Sequence, residues 1–173
     1  MSGLRRALAT GLAAVACLGL PAAAMAQDKR CISRTESQAV VAHLMPNLLT
    51  STAKRCGASL GATSYLVRDG SRLATKLTPQ AQANWPAAKR ALERQSGTAL
   101  PDNPALLDFG RQAIADGVAN KMDANGCRMV DQLLEQLAPL PAANLAKVFA
   151  LFLEAGVNNS KEAAFRICET QAG

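Results

Sequence analysis

Aromatic side chains are scarce in this chain. Trp85 and Tyr65 stand alone, Phe occurs four times, and together these residues make up 3% of 173. So few ring faces leave nothing for bases to stack on, which excludes a stacking platform for nucleic acid. Histidine is rarer still: His43 is the only one, so any imidazole chemistry has to use that position. No glycine-rich phosphate loop occurs. No C-x-x-C or C-x-x-H pair occurs either, so the ligand spacing of a structural zinc site is missing. No uninterrupted apolar run reaches the ~20 residues of a membrane-spanning helix. Charge is also low, with 18% charged residues against 49% apolar ones, a balance that excludes a disordered chain.

What is abundant is Ala and Leu, residues that lose little on entering a helix, with few β-branched or aromatic competitors. The expectation is an all-α protein. Its first 26 residues have the three parts of a secretory signal peptide. Arg5 and Arg6 form the charged start, Ala7 to Leu20 is apolar, Pro21 ends the run, and Ala24-Met25-Ala26 is a small-x-small cleavage site before Gln27. Cys17 is not a lipoprotein anchor, because it lies inside the apolar stretch with Leu18 and Leu20 still to follow. Removing 26 of 173 residues leaves 147, the usual size of one domain. The expected organisation is therefore 1–26 cleaved leader and 27–173 single helical domain, located in the periplasm or secreted. Contact with a membrane is expected only through the leader before cleavage.

The cysteines point to the same compartment. Cys17 leaves with the leader, and Cys31, Cys56, Cys127 and Cys168 remain. An even number in an exported domain implies two disulfides. Of the three pairings, Cys31–Cys56 needs the helix between them to fold back, since a straight one rises about 1.5 Å per residue. The expected pairs are Cys31–Cys168, tying the ends, and Cys56–Cys127, tying the middle.

Helix signals follow one another without a linker, a repeat or room for strands. Ser33-Arg34-Thr35-Glu36 is a capping box, followed by an apolar stripe of Val40, Val41, Leu44, Leu48 and Leu49, interrupted by Pro46. Gly57 suits a left-handed helix stop. Arg68-Asp69-Gly70 reads as a turn with a helix on each side, and Thr78-Pro79 as the start of another. Asn103-Pro104 opens a helix bearing Leu106, Phe109, Ala113, Ile114 and Val118, with Gly110 and Gly117 seven apart, a spacing that allows a close neighbour. After an Asp123-Ala124-Asn125-Gly126 turn come stripes of Val130, Leu133, Leu134, Leu137 and of Leu145, Val148, Phe149, Phe152. A last helix, capped at Asn159 or Ser160, would carry Phe165, Ile167 and Cys168. The pattern predicts a compact bundle of six or seven short helices.

Candidate chemistry is thin. Glu36-Ser37 resembles the glutamate–serine pair of lytic transglycosylases at those two positions and no further; a lone acid there could protonate a glycosidic oxygen. Asp131 and Glu135 lie one helical turn apart and could share a cation or divide acid and base roles. Aligning Gly126 with the glycine of a calcium loop puts Lys121 first and Gln132 twelfth, where acids are required, so that reading fails. Asn158-Asn159-Ser160 matches a glycosylation sequon, of little weight behind a bacterial-type leader. Lys89, Arg90 and Arg94, with Arg68, Arg72 and Lys76, form the densest positive region. Residues 27–101 hold 11 Lys/Arg against 4 Asp/Glu, net +7, and residues 102–173 hold 6 against 9, net −3. An anionic envelope component could be drawn to the first half.

With no catalytic, cofactor or metal constellation in the sequence, the expected function is binding of an unidentified protein or anionic envelope component, without enzymatic activity. Two alternatives stand beside it. One is a carrier of a small apolar ligand or lipid in a cavity near Phe149 and Phe152; the other is a cell-wall glycan hydrolase using Glu36.

Overall fold

A computed structural model describes residues 31–158 and 166–168. The leader at 1–26 and the start of the last expected helix, from Asn159 to Phe165, lie outside the described residues. The protein is mostly helical. In chain order the elements are β1 (Cys31–Ile32), α1 (Arg34–Cys56), α2 (Tyr65–Ser96), α3 (Pro104–Ala119), α4 (Ala124–Leu137), α5 (Ala142–Asn158) and β2 (Arg166–Ile167). Among the described residues there are thus five helices, not six or seven. Ile167, expected on a helix, belongs instead to β2, which pairs in parallel with β1 through Cys31–Arg166 and Ile32–Ile167.

The helix number falls short because the expected breaks in the middle of the chain are not breaks. Residues 65–96 form one helix of 32 residues. Gly70 is not a turn glycine but a contact glycine. A Cβ there would come within 3.3 Å of Leu66 Cδ1 and 3.7 Å of Ala53 Cβ, so its bare backbone lets α1 lie close. Asp69 pairs with Arg68 and Arg72 on the helix surface rather than closing a turn. Thr78 turns its hydroxyl back onto the Ala74 carbonyl at 3.1 Å, which is an intrahelical bond and not a cap. Pro79 and Pro86 sit inside the helix. Each removes the hydrogen bond to the carbonyl four residues earlier, and those carbonyls belong to Thr75 and Gln82, both exposed to water. Pro46 is likewise accommodated within a continuous α1.

The caps follow sequence rules more closely. Ser33 accepts from the Glu36 amide at 3.2 Å while the Glu36 carboxylate accepts from the Ser33 amide at 2.9 Å, a complete capping box. Asn103 accepts from the amides of Ala105 and Leu106. Asp123 is not part of a free turn; it is the N-cap of α4, accepting from the Gly126 amide at 2.7 Å. Gly97 ends α2 at φ 70°, the left-handed stop that glycine adopts without strain, whereas Gly57, expected to do the same after α1, stays right-handed at φ −54°.

Helices α1 and α2 form a long antiparallel hairpin, and α3, α4 and α5 lean against it. The core lies where α1, α2, α4 and α5 meet, with Cys56, Leu66, Leu134 and Leu145 fully enclosed. Two disulfides fasten this arrangement. Cys56–Cys127 ties the end of α1 to the start of α4 with Cα atoms 5.5 Å apart, inside the core. Cys31–Cys168 ties β1 to the residue after β2, with Cα atoms 5.0 Å apart. Such bonds belong to an oxidising, extracytoplasmic environment. No helix among the described residues is long and apolar enough to cross a membrane.

Candidate functional site

Helix α3 packs on α1 through its polar side. Ser51 donates to Asp116 Oδ1 at 2.6 Å, Gln112 Nε2 donates to both Ser51 Oγ (2.8 Å) and Asp116 Oδ1 (2.9 Å), and Asn47 Nδ2 donates to Gln112 Oε1 at 3.1 Å. The residues that join this network from α3 in the interface are the small Ala115 and Ala119. Asn47 and Ser51 on α1, like Gln112 and Asp116 on α3, are spaced by four. Each pair therefore shares one helix face, and the two faces form a ladder.

That arrangement forces the apolar side of α3 outward. Phe109 is 73% exposed, Leu106 55%, Ile114 46% and Val118 45%. With Ala113 they occupy positions i, i+3, i+7, i+8 and i+12 of one helix, a continuous apolar face. Gly110 and Gly117 lie within it, and a Cβ on either would meet nothing within 4 Å. Among the described residues, no other helix takes the close position that their spacing allows. Isolated exposed apolar residues are ordinary; here they share one helix face, with Phe109 the most exposed of them. The charged residues of α3 do not frame this face. Asp108 is paired with Arg111, and Asp116 is engaged in the inner network.

The residues singled out in the sequence fall elsewhere. Glu36 is committed to the capping box and to an ion pair with Arg94. Burial alone would raise its carboxyl, but bonds from Arg94 and from the Ser33 amide and hydroxyl outweigh it and hold the group below the usual carboxylate range. A general acid needs the opposite shift. Asp131 and Glu135 are not a working pair: Asp131 Oδ1 accepts from the Leu66 amide at 2.6 Å and so caps α2 from α4, while Glu135 faces solvent. The positive region is largely neutralised in place. Lys89 pairs with Asp102 and Glu93, Arg94 with Glu36, and Arg68 and Arg72 with Asp69. Phe149 packs partly buried against the core and meets Phe152 edge-on at 6.4 Å, with Phe152 half in solvent.

His43 is not on the surface. It is buried at 4% exposure, bonded through Nδ1 to the Ala81 carbonyl at 3.0 Å, and stacked on Trp85 with ring centroids 4.6 Å apart. The Trp85 partnership carries no sequence signal, because the two residues lie 42 positions apart on different helices. The outward α3 face did carry one: Gln112 and Asp116 alternate with the apolar stripe at a spacing that matches Asn47 and Ser51. No protein-family model, curated protein or solved structure matches this chain.

Proposed function

We propose that this is an exported, non-enzymatic binding protein of the periplasm or extracellular space, and that its outward α3 face is received by an apolar groove on a protein partner. The single observation that carries this reading is the orientation of α3, with its polar side satisfied inside and an apolar face outside on which Phe109 is the most exposed residue. Helices that anchor in grooves present apolar residues at this spacing. A lipid surface suits the face less well. Helices that lie on membranes carry Lys and Arg beside the apolar stripe, whereas α3 holds Asp108, Arg111 and Asp116, and all three are occupied within the fold. Export is supported by the Arg5-Arg6 start, the apolar run, the Ala24-Met25-Ala26 site and the two disulfides.

The test is position-specific photo-crosslinking in cells. A photoreactive phenylalanine at position 109 should give one discrete adduct with another protein in the envelope fraction. The same group at exposed Arg90 on α2 should not, and Phe109→Asp should abolish co-purification of that protein while leaving the helical signal intact. Equal labelling from both positions, no adduct, or an adduct of the chain with itself would overturn the reading.

A further inference from the structure

The two disulfides stand in different surroundings. Cys56–Cys127 lies in the core, where Cys56 is 0% and Cys127 2% exposed. In Cys31–Cys168, Cys31 is 9% exposed and Cys168 is partly open to solvent. Exchange begins when a thiolate reaches a disulfide sulfur. Access therefore separates a bond that can be exchanged in the folded protein from one that has to wait for unfolding.

What the outer bond fastens is small. β2 is two residues long and meets β1 through Cys31–Arg166 and Ile32–Ile167, followed by a hydrogen bond from the Cys168 amide to the Ile32 carbonyl at 2.9 Å. A two-stranded pair of that length does not persist in water unsupported; here it also rests on α5. The neighbouring start of α1 has fastenings of its own. Its capping box is complete within Ser33 and Glu36, and Glu36 pairs with Arg94 on α2. Arg34 holds Glu154 on α5 by two bonds, at 2.7 and 3.1 Å. The core keeps Cys56–Cys127.

We propose that Cys31–Cys168 is a thiol–disulfide exchange site, opened by an exported dithiol protein while Cys56–Cys127 stays intact, and that its opening releases β2 from β1. One thiolate of the dithiol attacks Sγ of Cys168, the more exposed residue of the pair. The Cys31–Cys168 bond breaks, its electron pair leaves on Cys31 Sγ, which takes up a proton, and a mixed disulfide remains on Cys168. The second thiolate of the dithiol then attacks the dithiol's own sulfur in that mixed disulfide. Cys168 Sγ leaves and is protonated in turn. The dithiol ends as a disulfide, and this chain gains two electrons and two protons. Ile32, buried beside its partner Ile167, loses that cover. The inference is independent of the α3 surface.

Dithiothreitol is the first probe, applied without denaturant to the mature protein with both bonds formed. Free thiols are then blocked with N-ethylmaleimide and mapped by peptide mass. Cys31 and Cys168 should be labelled together, more than about a hundredfold faster than Cys56 and Cys127, whose reduction requires the core to open. At that stage the helical circular dichroism should be unchanged and the Cys168 amide should have lost its hydrogen-exchange protection. The double variant Cys31→Ser, Cys168→Ser should fold with the same helical signal and take no label until denaturant is added. Thioredoxin lacking its resolving cysteine, the second probe, should be captured as a mixed disulfide on Cys168. Comparable rates for the two bonds, or helix loss when only the outer one is open, would overturn the proposal. So would failure of the double variant to fold, or capture of the second probe on any other cysteine or on none.

Discussion

Helices α2 and α3 both carry apolar residues at helical spacing, yet α2 turns its stripe into the protein and α3 turns its stripe away. On α2, Leu66, Leu73, Leu77, Ala81, Ala88 and Ala91 are all buried, and the charged residues lie outside. On α3 the residues that reach the interior are Ala115 and Ala119 beside Gln112 and Asp116, and the large apolar ones are outside. Periodicity shows which residues share a face. It does not say which face the protein keeps. In α2 the choice follows area, since burying leucines against α1 and α4 removes the most apolar surface from water. In α3 it follows pairing, since α1 offers Asn47 and Ser51, and these need polar partners once covered.

The sharpest way to break this contrast is to delete comparable side chains from the two helices. Leu66 is fully enclosed, so Leu66→Ala leaves a cavity in the core and should cost about 2–5 kcal/mol. Phe109→Ala removes a larger side chain from the surface and should change stability by no more than about 0.5 kcal/mol either way. Chemical denaturation of both variants decides the matter. A Phe109→Ala cost approaching that of Leu66→Ala would mean that α3 packs its phenylalanine after all, and both the orientation and the docking surface would fall.

An intermediate effect is expected from the polar ladder. Asp116→Ala strands the Ser51 hydroxyl and the Gln112 amide at the α1–α3 seam and should cost about 1–3 kcal/mol, read from the same denaturation curves. A double-mutant cycle with Ser51→Ala should show strong coupling, because the two side chains are bonded at 2.6 Å. Additive costs would mean that the ladder does not hold α3 in place and that its inversion has another cause.

Legibility in the sequence followed the same division. The caps of α1 and α3 were readable, because Ser33 and Asn103 act on amides two or three residues away; Asp123 caps α4 in the same way, but its tetrapeptide reads locally as a turn. The helical class was readable from composition. The continuity of α2 was not. Arg68-Asp69-Gly70 and Thr78-Pro79 are turn signals locally, and only the presence of Ala53 on α1 makes Gly70 a packing residue. The cap that Asp131 gives to α2 bridges 65 residues, beyond any local rule. The pocket between α1, α2 and α3 is lined by His43, Trp85 and Arg111 from three helices, a convergence that no local rule shows.

The smallest expected effect concerns His43, which sits at the seam between the two regions. Burial holds its imidazole below the ordinary range; the bond to the Ala81 carbonyl opposes this, and the Arg111 charge adds to it. As pH falls past about 6.5, the unfolded chain therefore takes up the proton before the folded one. The stability that His43 contributes is complete above that value and is lost as pH falls toward the lower folded value. The other lowered groups near this seam, Glu36 and Asp102, are carboxylates whose own losses begin further down. Melting temperature should thus decline between about pH 7 and pH 5 in the unaltered protein, and His43→Gln, which does not titrate, should lack that part of the decline. Equal slopes in the two proteins would mean that His43 accepts a proton as readily folded as unfolded. That outcome places the imidazole in water and undoes the enclosed contact of α1 with Ala81 and Trp85 on α2.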